Sequence, residues 1–134
     1  MPPIDSELVR LLMRAGYLAA WKGFHREAVA IFNGVAAVRP ESEVPVIGGG
    51  VVAMLTGNYD VAVEVLEKAL DINPDSALAR AHLGGALRLR NDEEEGMKLL
   101  REVAAQSADP DAKALATNLL SMEAHQLKPS LSPT

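Results

Sequence analysis

The sequence has no cysteine, which removes disulfide staples, thiolate metal sites and a cysteine nucleophile together. It has no run of about 18 uncharged apolar residues, the length a helix needs to span a bilayer. Its start, Met1-Pro2-Pro3-Ile4-Asp5, lacks the basic segment and apolar stretch of a secretory leader. These absences predict a cytoplasmic protein with no membrane partner. Basic residues are in the minority: 13 Lys and Arg face 18 Asp and Glu, and a formal charge of -5 opposes the phosphate-neutralising surface that general nucleic-acid binders need. No nucleic-acid partner is expected. His25, His82 and His125 fall in three different helical units with no i, i+4 pairing, so no metal site is expected, and no catalytic residue or cofactor either.

What is present is a repeat. Gly16, Gly50 and Gly84 are spaced by 34 residues each time. In phase with them run Gly23, Gly57 and Asn91, where the chain must turn between two helices. Ala28, Ala62 and Gly96 form a third ladder, small residues for a close helix approach; Phe32, Leu66 and Leu100 form a fourth, large apolar residues for a core. Pro40 and Pro74 close the first two units. The register and the capping signals predict helices near 6 to 21, 24 to 38, 43 to 56, 60 to 72, 76 to 90, 93 to 107 and 110 to 126. Asp109 and Pro110 are a good N-cap and first residue for the last of these. The acidic run Asp92 to Glu95 reads as a solvated first turn, favoured there by the helix dipole.

On these residues the chain resembles the tetratricopeptide repeat (TPR) family, over roughly residues 9 to 110. The second repeat carries the pattern best, with Gly50, Gly57-Asn58-Tyr59-Asp60, Ala62, Leu66, Ala69 and Asp71-Ile72-Asn73-Pro74. The third departs from it at Arg80, where a large apolar residue is usual, at Gly96 for alanine and at Ala108 for the closing proline. The resemblance implies an all-α fold, a right-handed α-α superhelix of three TPR hairpins plus a C-terminal capping helix. The expected organisation is one TPR domain over residues 1 to 127, with repeats near 9 to 42, 43 to 76 and 77 to 110, a capping helix near 110 to 126, and a disordered tail over 128 to 134.

In the TPR family the first helix of each hairpin lines a concave groove. The resemblance assigns to that surface Arg10, Met13, Tyr17, Ala20 and Trp21 in repeat one, Val44, Ile47, Val51, Met54 and Leu55 in repeat two, and Leu78, Ala81, Gly85, Arg88 and Leu89 in repeat three. Twelve of these fifteen are apolar, against 49% hydrophobic residues in the chain. The groove therefore suits an amphipathic helix of a protein or peptide partner, with Trp21 and Tyr17 as anchors. The Lys and Asn residues with which other family members clamp chaperone carboxylates are missing. Arg88 and Arg10 read as solvated arginines or as contacts to an acidic partner residue. A cover formed by the C-terminal helix, or a homodimer, is the alternative fate of the apolar stripe.

Repeat count, size and groove character are similar to the small TPR chaperones of bacterial type III secretion, which hold needle or translocator subunits soluble before export. The implied function is a non-enzymatic chaperone or adaptor. A homo-oligomeric scaffold or assembly factor is the alternative, and a nucleotide-binding enzyme a remote one. That last reading rests on Gly48 to Ala53, which spells GxGxxA; Pro45 interrupts the strand such a motif requires, and the 34-residue register makes the segment helical. Three glycines inside a helix cost about 1 kcal/mol each relative to alanine. Gly50 is explained by close packing, and Gly48 is expected to gain stability on replacement by alanine.

Overall fold

Asp5 starts the first helix by accepting a hydrogen bond from the Glu7 backbone N–H at 2.8 Å, one of the free donors of a helix start. The computed structural model describes residues 5–127, and the expected tail over 128 to 134 lies outside them. From Asp5 the chain forms α1 (Ser6–Trp21), α2 (His25–Val38), α3 (Val44–Leu55), α4 (Tyr59–Ile72), α5 (Ala77–Leu89), α6 (Glu93–Gln106), α7 (Pro110–Ser121) and a single turn, α8 (Ala124–Leu127). The fold is all-α, and among the described residues there is no strand. The segment Gly48 to Ala53 lies inside α3, so the nucleotide motif has no strand before it.

The chain divides between Pro74 and Asp75 into two compact units. In the first, α1 pairs with α2 and α3 with α4, while α3 also packs on α2 and lies beside α1. In the second, α5 pairs with α6, α7 packs against both, and α8 touches α5.

One device ends the first helix of every hairpin. Gly23, Gly57 and Asn91 have φ of 87, 79 and 76°, the left-handed conformation that glycine adopts without cost and asparagine at little. At each, the following N–H reaches back to close the helix: Phe24 to the Ala19 carbonyl, Asn58 to Ala53 and Asp92 to Leu87, all at 2.8 Å. The bonds from the turn residues themselves, Gly23 to Ala20, Gly57 to Met54 and Asn91 to Arg88, complete three Schellman motifs. The turns fall at the three residues that the repeat register predicts.

A second device holds each hairpin together. A β-carbon on Gly16 would lie 2.6 Å from the Phe32 ring, one on Gly50 2.8 Å from Leu66, and one on Gly84 2.6 Å from Leu100. Each glycine of a first helix is thus the seat of the large residue 16 positions later, and Phe32, Leu66 and Leu100 are at most 1% exposed. Ala28 and Ala62 are fully buried. Gly96, at the same register position, lies so close to α5 that a β-carbon would meet the Gly84 carbonyl oxygen at 2.7 Å and Arg88 Cγ at 2.8 Å.

Two expectations are corrected. Gly48 is not a dispensable helix breaker, because a β-carbon there would sit 2.7 Å from the Phe32 ring, which is therefore held between Gly16 of α1 and Gly48 of α3. The seventh helix stops at Ser121 rather than near 126: Met122 is extended, with φ -80° and ψ 136°. No glycine or proline marks that stop in the sequence. An arginine from α5 takes the end carbonyls instead, as described below.

Candidate functional site

The α1 and α3 residues assigned to a groove divide by exposure. Met13, Ala20, Ile47 and Val51 are buried, Ile47 to 1% exposure. Tyr17, Met54 and Leu55 are half-buried, and Arg10, Trp21 and Val44 are exposed, Trp21 to 68%. The spacing Met13, Tyr17, Ala20 turns one face of α1 toward its neighbours in the first unit. There Met13, Ala20, Ala28, Phe32, Val35 and Val52 form one apolar cluster, with Tyr17 and Leu55 packed against it. Tyr17 meets Phe32 edge to face, with ring centroids 5.0 Å apart and planes at 63°. Burial pushes the Tyr17 phenol pKa above its ordinary value.

In the second unit, Ala81 and Gly85 are buried, Leu78 is half-buried and Leu89 is 7% exposed. Leu78 packs against the cluster of Ala81, Leu100, Val103, Ala112 and Ala116, so this stretch of α5 is covered by α6 and α7. Arg88 is neither a solvated arginine nor a free contact for an acidic partner residue. It is 4% exposed, and its guanidinium donates to the Leu119 carbonyl at 2.5 Å, the Met122 carbonyl at 2.8 Å and the Glu93 carboxylate at 2.6 and 2.9 Å. The cation sits on the negative end of the α7 dipole and satisfies carbonyls that a helix C-terminus leaves without partners. A planar fork of donors can serve three acceptors in this way where an ammonium could not. Gly96 leaves the space through which its aliphatic stem passes. The third repeat's departure from alanine at 96 and its arginine at 88 are thus one arrangement.

Two features were not read from the sequence. A cleft of about 350 Å³ in the first unit is lined by Val29, Phe32, Val46, Gly49, Val61 and Val65, with Asn33, Thr56 and Asn58 among its polar lining residues. It draws on both second helices, α2 and α4, which the groove assignment left out. The other is the exposed row Leu8, Leu11 and Leu18 on α1, at 46, 56 and 57% exposure. Its helical spacing is visible in the sequence but lies outside the 34-residue repeat positions.

Among the described residues no group of three or more His, Asp or Glu is placed to hold a metal ion, and no helix is long and apolar enough to cross a membrane. No curated protein sequence matches the chain. Its fold is similar to that of the Yersinia enterocolitica type III secretion translocator chaperone SycD, with a TM-score of 0.74 at 18% identity over 89% of this chain and 90% of that one. A type III secretion complex from Aeromonas hydrophila gives 0.67 at 19% identity over 86% and 77% of the two chains. The first TPR domain of Spaghetti (RPAP3), bound to the HSP90 peptide SRMEEVD, gives 0.66 at 18% identity over 89% and 95%. At these identities the likeness is one of fold. A family model for the tetratricopeptide repeat matches residues 53–119, half of the 134 residues, and with the three glycine-seated hairpins it places the chain in the tetratricopeptide repeat family.

Proposed function

We propose that this protein is a non-enzymatic chaperone or adaptor of the cytoplasm that holds an amphipathic helix of a hydrophobic partner against the apolar face of α1 and α3, the partner being a needle or translocator subunit of a type III secretion system. The carrying observation is the exposure of Trp21, 68%, on the helix whose Tyr17 is half-buried, with Met54 and Leu55 half-buried on α3. An indole left in water by the free protein is a strong anchor for a partner, since aromatic residues with a polar handle dominate interface energetics. Val44, 42% exposed, extends the surface along α3.

The likeness to SycD and to the Aeromonas complex supports a secretion role over one like that of the RPAP3 domain. That domain binds a peptide ending in acidic residues. In the repeat register, the groove positions at which family members carry Lys and Asn hold Met13, Tyr17, Ile47 and Val51 here. The mechanism is competition: a helix whose apolar stripe is covered here is withheld from self-assembly until export.

Co-expression with needle and translocator subunits, followed by titration of their helical segments into the wild type and Trp21→Ala, tests the reading. Truncating one exposed anchor is expected to weaken binding by at least tenfold, about 1.4 kcal/mol, with the melting temperature unchanged. Failure of every such segment to bind, or equal binding by the variant, would sink it.

A further inference from the structure

Three glycines interrupt α3, and two of them are accounted for: Gly48 seats Phe32 and Gly50 seats Leu66. Gly49 seats nothing. A β-carbon there would meet only Val65 Cγ1, at an ordinary 3.8 Å, so the free protein carries a helix-weakening residue for which its own packing has no need. A glycine in such a place lets a ligand approach the backbone closely. At 100° per residue Gly49 lies across α3 from Ile47 and Val51, on the side that lines the cleft of about 350 Å³. Helices α2 and α4 both pack on α3 and flank this side of it with Val29 and Asn33, and with Val61 and Val65. Between them Val46, Gly49, Ala53 and Thr56 follow one face of α3 for about 15 Å.

The lining selects the occupant. No residue of the cleft is charged, and α3 carries no charge at all, so a charged side chain brought in would lose its water without gaining a counter-ion. The polar groups present are those a peptide backbone can use. Asn33 is exposed, and its carboxamide makes no hydrogen bond among the described residues. Asn58 donates from Nδ2 to Thr56 Oγ1 at 2.9 Å, and its Oδ1 is not spent on capping α4. A carboxamide offers a donor and an acceptor, as each residue of backbone does, whereas a hydrocarbon chain would leave both unused. Shape excludes a helix: one turn, about 5.4 Å of a cylinder about 10 Å across, displaces about 420 Å³, more than the cleft holds. An extended chain rising about 3.3 Å per residue spans the Val46 to Thr56 face with about five residues. We infer that the α2–α4 cleft is a second binding site, on the opposite side of α3 from the α1/α3 surface, and that it takes an extended, uncharged, aliphatic segment of another protein. Gly49 clears the space for that segment, and Asn33 supplies hydrogen bonds to its backbone.

The test uses the full chain and a capped, uncharged peptide, Thr-Val-Ile-Val-Thr, whose β-branched residues favour the extended state. Titration followed by amide NMR is expected to give saturable shifts at Asn33, Gly49, Thr56 and Val65. Glutamate in place of the central isoleucine should weaken binding at least tenfold. Gly49→Leu, which fills the cleft, should weaken it at least tenfold, and Asn33→Ala at least threefold. Neither variant should melt below the wild type, because Gly49 has open space ahead of it and the Asn33 side chain is exposed and unbonded. Gly34→Ala, on α2 outside the cleft, makes the same gain in helix propensity and should leave the affinity unchanged. The inference is overturned by the absence of saturable shifts, by shifts centred on α1 instead, by equal binding of the glutamate peptide, or by wild-type affinity in both Gly49→Leu and Asn33→Ala. It is also overturned by a wild-type dimer that Gly49→Leu converts to monomer, since a second copy then fills the cleft. A chain lacking residues 1–4 or 128–134 that binds at least tenfold more tightly than the full chain would assign the cleft to the chain's own end and overturn it equally.

Discussion

A β-carbon on Gly48 would lie 2.7 Å from the ring of Phe32, which is 1% exposed and already seated on Gly16. The ring is already pressed on α1 at Gly16, and moving α3 aside would part the second hairpin from the first. Gly48→Ala is therefore expected to destabilise the protein by about 1–3 kcal/mol, the usual cost of overpacking, despite alanine's better helix propensity. Gly49→Ala is the control. Its β-carbon would meet only Val65 Cγ1, at an ordinary 3.8 Å, so stability should hold or rise by up to about 1 kcal/mol. Adding Phe32→Leu to Gly48→Ala should recover part of the loss. Thermal melts of the three variants check the set, and a rise in melting temperature for Gly48→Ala alone would contradict the packing argument.

Arg88 ties α7 to α5 through the Leu119 and Met122 carbonyls and to the start of α6 through Glu93. Arg88→Ala removes these bonds and leaves two carbonyls short of a donor, a loss on the order of 3 kcal/mol. Arg88→Lys should recover little of it, because one ammonium cannot reach all three acceptors. Hydrogen exchange should show the amides of α7 losing protection first. Uniform loss across the second unit, with α7 no worse than α6, would argue against a clamp.

Trp21 and Leu55 belong to one assigned surface but should respond differently. Trp21 is 68% exposed, whereas Leu55 is half-buried against the cluster around Phe32. Trp21→Ala is expected to change stability by less than about 0.5 kcal/mol, and Leu55→Ser to cost about 1–3 kcal/mol. Chemical denaturation of the two single variants measures this directly. Equal losses would mean that the indole is packed in solution.

His82 donates from Nδ1 to the Leu78 carbonyl at 2.9 Å, which a neutral imidazole does with its N–H on that atom. Burial pushes its pKa below the usual value, and the carbonyl bond opposes that shift in part. Since the folded state disfavours the proton, the contribution to stability is full above about pH 6.5 and is lost as pH falls through the lower folded-state value. His82→Asn should flatten the change in melting temperature over that acidic range. An unchanged pH profile would show that another group carries it.

The turns were legible because a left-handed residue is a local requirement: Gly23, Gly57 and Asn91 announce themselves by type and by their 34-residue spacing. The seats at Gly16, Gly50 and Gly84 were legible for the same reason, since their partners recur in register. Gly48 was not. Its partner Phe32 is the only aromatic in its ladder, so the need for a second glycine arises from one side chain's size and not from the repeat. The end of α7 was also hidden, because its stop comes from Arg88, 34 residues before Met122, and not from a local breaker. Of the surface assigned by register, exposure divides Trp21 and Val44 from Ile47 and Ala81. That division depends on how neighbouring helices cover each turn, which periodicity alone does not contain.

The pairing of a glycine with a large residue 16 positions later also bears on how such a sequence can change over time. Size is shared between the two sites, so a lineage can enlarge one only after, or together with, shrinking the other. The first hairpin is the most restricted, because its phenylalanine answers to two glycines on different helices. Substitutions there should arrive as coordinated triplets at 16, 32 and 48. In the hairpins seated at Gly50 and Gly84, whose large partners are Leu66 and Leu100, pairs suffice.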